Sequence, residues 1–219
     1  MKKLVVIVLL LCGATHLSAQ ENVKLSGNAR VTSLGLSGVT GVSPAKNVTA
    51  DFTLAVSVKH LSLNWVTSRD LVDKKTKANW NYFATKYAIT CSKVILSPGM
   101  FVLLFDEYKS SSLVAPTVFA SYTGKIRFDG FVGYGYLFDE PNMFISNVSA
   151  SKSFQDYTFK VDIWENVKVG KSTTTGGIQL AKKLFTQNSV STSVQAGWRI
   201  KDALAHPEHF YWVGLGVSF

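Results

Sequence analysis

The chain has 219 residues, a formal net charge of +9, and 47% hydrophobic and 12% aromatic residues. This length suits one domain, and no linker, repeat or long run of charge divides the chain. A basic balance can indicate nucleic acid or an anionic membrane surface, but here the positive residues are scattered and form no basic helix. We therefore expect no nucleic-acid partner.

The N-terminal segment has the layout of a cleaved secretory signal peptide. Met1-Lys2-Lys3 is a short positive region, residues 4–11 are an unbroken apolar run, and Leu17-Ser18-Ala19 supplies small residues. The apolar run is too short for a transmembrane helix, which needs about 20 residues. We predict cleavage after Ala19, which makes residues 1–19 the signal peptide and 20–219 the mature domain. A lipoprotein cysteine at Cys12 is less favoured, because leucines rather than a small residue precede it.

Cleavage would remove Lys2 and Lys3, which lowers the formal charge from +9 to +7. It would also leave Cys91 as the single cysteine, so an intramolecular disulfide is excluded. No segment of the mature chain is apolar for 18 residues, although its hydrophobic content is high for an exported protein. Alternating strands resolve this conflict, with an apolar half facing lipid and a polar half facing inward.

From residue 22 onward, apolar residues recur at every second position, which is the period of a β-strand. The alternation is clearest between Val48 and Val58, where all even-numbered residues are apolar or small. The eighth strand has the weakest pattern, so ten strands is the alternative to twelve. The twelve predicted strands cover residues 22–35, 47–59, 61–68, 81–92, 100–106, 116–123, 125–138, 143–154, 157–165, 177–185, 189–200 and 210–219.

The predicted connections alternate between long and short. The long ones follow odd strands, at residues 36–46, 69–80, 107–115, 139–142, 166–176 and 201–209. The short ones follow even strands, at residues 60, 124, 155–156 and 186–188, and residues 93–99 are an exception. In that exception Ser97-Pro98-Gly99 is a strong turn signal.

The last nine residues alternate strictly and end on an aromatic ring. Their apolar parity is Tyr211, Val213, Leu215, Val217 and Phe219. This ending resembles the closing strand of Gram-negative outer-membrane β-barrels. The resemblance implies location in the outer membrane, both termini on the periplasmic side, and an insertion signal in these five residues. It also implies three partners: outer-membrane lipid, the barrel-insertion machinery and periplasmic chaperones.

The predicted fold is therefore all-β, a closed antiparallel transmembrane barrel of about twelve strands. Closure follows from physics, because lipid cannot satisfy the backbone groups of a free sheet edge. Aromatic residues near strand ends suggest interfacial girdles. The outer set is Trp80, Tyr82, Tyr108, Tyr136, Phe138, Phe144, Trp164, Tyr211 and Trp212, and the inner set is Tyr122, Phe154, Tyr157, Phe185 and Phe219.

Nine charged residues lie on the parity opposite the apolar face and are predicted to line the lumen, since a charge at mid-strand on the lipid face costs about 2–4 kcal/mol for Lys or Arg. Six are basic and three acidic, an excess of +3: Arg30, Asp51, Lys86, Arg127, Asp129, Lys160, Asp162, Lys183 and Arg199. In one hypothesis the excess lines a wet passage, and the protein is a porin or channel for small polar or anionic solutes. In the other the charges pair and fill the lumen, which gives a non-conducting structural or surface-interaction barrel.

Other functions have weaker support. An outer-membrane hydrolase would need a nucleophile beside a base, and the chain shows no such arrangement. His206 and His209 flank Glu208 in the last outer loop, which is better explained as a solvated loop than a metal site. A soluble β-sandwich would leave the terminal Phe219 unexplained. We predict no enzyme activity, no cofactor and no metal.

Overall fold

The computed structural model describes residues 23–33, 47–73, 79–106, 112–137 and 141–219. The predicted signal peptide lies outside these ranges and stays a prediction. The described residues form thirteen strands: β1 (Val23–Thr32), β2 (Thr49–Val58), β3 (Leu61–Asp70), β4 (Trp80–Tyr87), β5 (Ile89–Cys91), β6 (Val94–Phe105), β7 (Leu113–Thr123), β8 (Arg127–Leu137), β9 (Met143–Phe154), β10 (Tyr157–Lys168), β11 (Lys171–Gln187), β12 (Val190–Lys201) and β13 (Glu208–Ser218). These ranges contain no helix long and apolar enough to cross a membrane.

The strands form one closed antiparallel sheet. Each strand pairs with its neighbour in sequence, β1 pairs with β13, and β4 and β5 both pair with β6. The short β5 therefore continues the position of β4, and the barrel has twelve strand positions. The predicted closed twelve-stranded barrel is confirmed, and the alternative of ten strands is wrong.

Connections at one end of the barrel are tight, as predicted. Two or three residues separate β2 from β3, β5 from β6, β7 from β8, β9 from β10, and β11 from β12. Several of these turns hold a non-glycine residue with positive φ, among them Lys59, Ser92, Gln155 and Asn188. We call this the inner end, because β1 begins there and β13 ends there, and both termini are predicted to lie on the periplasmic side.

The predicted turn at Ser97-Pro98-Gly99 is wrong. β6 runs through these residues, and the chain turns earlier, at Ser92-Lys93. Proline has no N–H to donate to a neighbouring strand, so it weakens the ladder where it stands. The β4 ladder ends at Lys86 opposite Gly99, and the β5 ladder begins at Ile89 opposite Leu96. Pro98 therefore marks the break between β4 and β5 rather than a turn.

The long outer loop predicted at residues 166–176 is also wrong. β10 and β11 continue as a paired hairpin to a turn at Val169-Gly170, where Gly170 has φ +72°. Apolar alternation stops after Val169, but the segment is rich in β-branched threonine, which favours strands. Ser172 and Thr174 donate hydrogen bonds to the carboxylate of Glu165 on the paired strand. Polar pairs thus hold the hairpin together.

Apolar side chains cover the outside of the barrel. They occupy alternate positions on every long strand, as in Leu61 and Leu63 on β3 or Phe159 and Ile163 on β10. Since the sheet pleat sends successive side chains to opposite faces, these residues form a continuous outer belt. Such a surface suits a hydrocarbon environment.

The interior is not polar throughout, which corrects the expected polar inward face. One side of it holds a buried apolar cluster, formed by inward residues of β4, β6, β7 and β9: Trp80, Ala84, Phe101, Leu103, Phe105, Leu113, Ala115, Phe119, Met143 and Ile145. Large apolar side chains on both parities of these strands make the alternation ambiguous in sequence. The remaining interior lies along the charged wall described below.

Several aromatics predicted for the outer girdle instead face the interior. Trp80, Trp164 and Trp212 are buried, and Tyr82 packs against the apolar cluster. Other members are exposed on the outside, as expected: Tyr136, Phe144 and Tyr211 at the outer end, and Tyr122, Phe154, Phe185 and Phe219 at the inner end. Tyr108 and Phe138 lie outside the described residues. Proximity to a strand end therefore does not decide which face an aromatic ring occupies.

Candidate functional site: the barrel lumen

Most of the charged residues predicted for the lumen line two cavities inside the barrel. The first, of about 420 Å³, is lined by Arg30, Asp51, Lys160, Asp162 and Arg199. The second, of about 400 Å³, is lined by Lys86, Arg127, Asp129 and again Lys160. We call them the central cavity and the inner cavity. Lys183 lines neither, and is exposed near the inner end, opposite Ser193.

In the central cavity, the first ion pair joins two adjacent strands. Arg30 on β1 lies directly opposite Asp51 on β2. Its Nε and Nη2 donate to Oδ2 of Asp51 at 3.1 and 2.6 Å. The Arg30 guanidinium also lies 5.8 Å from the ring centroid of Trp212, within range of a cation–π contact. The pairing of β1 with β2 and the Trp212 ring therefore both hold Arg30 against the barrel wall.

A second ion pair spans two ladders. Asp162 on β10, Gly177 on β11 and Arg199 on β12 stand in one row. Nη2 of Arg199 donates to Oδ1 and Oδ2 of Asp162 at 3.0 and 2.9 Å. A Cβ at Gly177 would lie only 3.1 Å from Arg199 Nη2 and 3.2 Å from Asp162 Oδ1. The missing side chain is therefore what lets the arginine reach over β11.

Arg199 keeps unused hydrogen-bonding capacity. Its side chain is 11% exposed and that of Asp162 is 9% exposed. Nε and Nη1 of Arg199 have no hydrogen-bond partner among the described residues. An arginine carries five N–H donors, but these two nitrogens are buried rather than exposed to the cavity, so the arginine is a fixed part of the wall.

The inner cavity holds the third ion pair. Arg127 and Asp129 are two residues apart on β8, with Nε to Oδ2 at 2.7 Å and Nη2 to Oδ1 at 2.9 Å. Ser121 on β7 adds a hydrogen bond to Asp129 Oδ1 at 2.7 Å. All three predicted lumen acids are thus bound by arginines.

The pairing leaves the lysines as the excess charge. Among the described residues, neither Lys86 nor Lys160 has a carboxylate oxygen within the 4.0 Å of an ion pair. Nζ of Lys86 instead lies 3.9 Å from the ring centroid of Phe119. The formal excess of +3 in the predicted set therefore resides on Lys86, Lys160 and Lys183.

The two cavities adjoin. Asn147, Lys160 and Trp164 line both of them. Lys160 thus lies where the two cavities meet, between the ion pairs of the central cavity and the Arg127–Asp129 pair of the inner cavity. Aromatic rings also line this space and connect it to the apolar cluster, with Phe131 5.9 Å from Phe101 and 5.5 Å from Trp164 between centroids. The free space is eccentric, with one polar wall and one apolar wall.

The prediction from charge missed several residues of this wall. Asn28, Asn147, Gln179 and Gln195 line the central cavity, and Gln179 Nε2 donates to Gln195 Oε1 at 3.1 Å. Each shares the strand parity of a predicted charge, as Gln179 does in lying opposite Lys160. Parity could therefore have identified these amides, as well as Trp164.

His209, one of the two histidines considered above, has a structural role. The ring of His209 stacks on Trp198 with centroids 5.7 Å apart, and Trp198 Nε1 donates to His209 Nδ1 at 3.2 Å. Within the described ranges, no group of three or more His, Cys, Asp or Glu residues is placed to hold a metal ion. Stacking explains His209 without a ligand.

Comparisons with known proteins agree with the barrel fold. No protein-family model matches the chain, and no curated protein matches it. Among solved structures, a KdgM porin matches with TM-score 0.60 and 12% identity over 89% of this chain and 98% of that one. A KdgM porin in complex with disordered oligogalacturonate matches with TM-score 0.59 and 11% identity, over 89% and 98%. A NanC porin matches with TM-score 0.59 and 14% identity, over 90% and 99%. The chain therefore has the fold of a Gram-negative outer-membrane β-barrel.

Proposed function

We propose that this protein is a small porin of the outer membrane that passes small polar solutes and favours anions. One observation carries the proposal: Lys86 and Lys160 line adjoining cavities and have no carboxylate partner among the described residues. The three arginines of the lumen are each engaged by an aspartate. The lysines therefore supply the unbalanced charge that a passing anion meets.

The geometry would strengthen that charge. A narrow passage with an apolar wall focuses the field of its fixed charges, because the wall polarises little. The paired Arg30–Asp51 and Arg199–Asp162 side chains would keep the polar wall rigid, while the lysines remain free to follow a solute.

Two comparisons support this class of function. The matching structures are named porins, and one of them holds an oligogalacturonate, a chain of sugar carboxylates. Shared fold at this low identity does not transfer a ligand. It does support testing carboxylates first.

Solute uptake into proteoliposomes tests the proposal. We expect osmotic swelling with glucuronate to be faster than with glucose, and faster with glucose than with the glucosamine cation, since these solutes have similar size. Lys160→Glu should reduce or reverse this order. The matched control is Lys171→Glu, which makes the same charge change at the exposed tip of the β10–β11 hairpin.

Two outcomes of the swelling assay would contradict the proposal. Equal rates for the three solutes would contradict the anion preference. A folded barrel that admits none of them would contradict porin function and favour the non-conducting structural barrel.

A further inference from the structure

The inner cavity has an aromatic wall. Tyr82, Phe119, Phe131 and Trp164 all line it. The ring centroids of Phe119 and Phe131 are 5.5 Å apart, and those of Phe131 and Trp164 are also 5.5 Å apart. Behind these rings lies the buried apolar cluster that contains Phe101. The four rings form an apolar surface that continues the apolar side of the interior into the inner cavity.

Two lysines lie at this wall. Lys86 Nζ lies 3.9 Å from the Phe119 ring centroid, and Lys160 lines the same cavity. An ammonium over a ring face is held electrostatically, and a charge-assisted hydrogen bond to a carboxylate is among the stronger contacts that it can make. Arg127 is less available, because Asp129 binds it with two hydrogen bonds. The two lysines are thus the anion-binding groups beside the rings.

We infer that the inner cavity is a binding subsite for aromatic carboxylates, solutes that join an apolar ring to one carboxylate. The ring would pack on Phe119 and Phe131, and the carboxylate would pair with Lys86 or Lys160. The volume of about 400 Å³ falls within the range of small-molecule sites. The inference rests on the proposed function, since the solute reaches the cavity through the lumen.

The combination of walls distinguishes this class from other anions. A sugar acid carries hydroxyl groups around its ring, and these would lose hydrogen bonds to water against the aromatic wall. A small anion such as acetate gains from the lysines but covers little of the rings. An uncharged ring gains from the wall alone.

Block of the chloride current through the reconstituted full-length protein tests the subsite. We expect benzoate to half-block at a concentration at least about tenfold lower than acetate, glucuronate or benzyl alcohol. Phe119→Leu keeps an apolar side chain but removes the ring, and should abolish most of benzoate's advantage over acetate. The control Tyr134→Leu removes an outward-facing ring and should change neither value. Lys86→Gln should weaken block by benzoate and acetate together.

Calorimetric titration of the folded barrel in detergent with benzoate separates this inference from the porin proposal. Benzoate binding by a barrel that does not conduct would uphold the subsite and defeat the porin proposal. Conductance with equal block by benzoate and glucuronate would uphold the porin and overturn the subsite. Absence of both binding and conductance would overturn both proposals. Unchanged benzoate affinity in both folded variants, Phe119→Leu and Lys86→Gln, would overturn the subsite alone.

Discussion

At the scale of single residues, a glycine determines how the lumen charges pair. Arg199 reaches Asp162 because Gly177 between them has no side chain. Both charged groups are nearly buried, so each depends on the other for compensation. A larger residue at this position would separate a buried acid from its only arginine in the described lumen.

We expect Gly177→Val to lower the free energy of unfolding by up to about 3 kcal/mol, because breaking a buried pair leaves a charge uncompensated. Urea-induced unfolding of the refolded barrel in lipid measures it. The control is Gly176→Val on the outer face, where an added Cβ would meet its nearest neighbour, Ile200 Cγ2, at an ordinary 3.5 Å. Equal destabilisation by both changes would show that the ion pair adds nothing.

Sequence parity could predict that Arg199 and Asp162 both face inward, but not that they pair. Their contact depends on the relative register of β10 and β12, which are two strands apart, and on the gap at Gly177. Parity could likewise not tell which charges stay unpaired. For that reason the sequence left both a wet passage and a filled lumen open.

At the scale of elements, the first and last strands close the barrel. Gly27 N donates to Phe219 O at 2.9 Å, and Phe219 N donates to Gly27 O at 3.0 Å. A Cβ on Gly27 would lie 2.2 Å from Cζ of Phe219, so the terminal ring covers the glycine. An aromatic ring over a strand glycine stabilises a sheet edge. Here the Phe219 ring covers the β1–β13 seam, the line along which the first and last strands pair.

We expect Gly27→Val to displace the Phe219 ring and weaken the seam. In a double-mutant cycle with Phe219→Leu, the two changes should couple by about 0.5–3 kcal/mol, as residues in contact do. Ala29→Val is the matched control, because Ala29 borders an open groove on the same outer face. Additive effects of Gly27→Val and Phe219→Leu would refute the sealing role.

The terminal strand also carries the predicted insertion signal. Tyr211, Val213, Leu215, Val217 and Phe219 project outward, where a partner protein could read them before the barrel closes. Deletion of Phe219 should leave the protein unassembled in the periplasm, measured by fractionation and protease sensitivity. Assembly of the deletion variant at normal yield would contradict an insertion signal.

The strands themselves were largely predictable, because lipid on one face imposes a strict period of two. The weakest predicted strand, residues 143–154, is β9 with the same bounds. Prediction failed where that constraint is missing. The β10–β11 hairpin has no apolar alternation beyond Val169 from which it could be predicted. The Ser97-Pro98-Gly99 sequence is typical of a turn, but Pro98 only interrupts the hydrogen bonds of β6 to β4 and β5.

At the scale of the whole molecule, the barrel is closed and its interior is divided. The apolar cluster occupies the side of β4, β6, β7 and β9, and the two ion pairs of the central cavity occupy the side of β1, β2, β10 and β12. A closed sheet, whose strands pair all the way round, resists unfolding in detergent. We therefore expect an unboiled sample to migrate differently from a boiled one and the protein to fractionate with outer membrane. Release as a soluble species by osmotic shock would contradict this.

We propose that the lysines beside the two adjoining cavities make the barrel an anion-selective channel. The most direct measurement is the reversal potential of the purified protein in planar bilayers under a KCl gradient. We predict a potential that favours chloride, declines as salt rises because screening shortens from about 10 Å at 0.1 M to about 3 Å at 1 M, and shifts toward potassium in Lys86→Glu and Lys160→Glu. A correctly folded barrel that shows cation preference, or no conductance at all, would contradict the account.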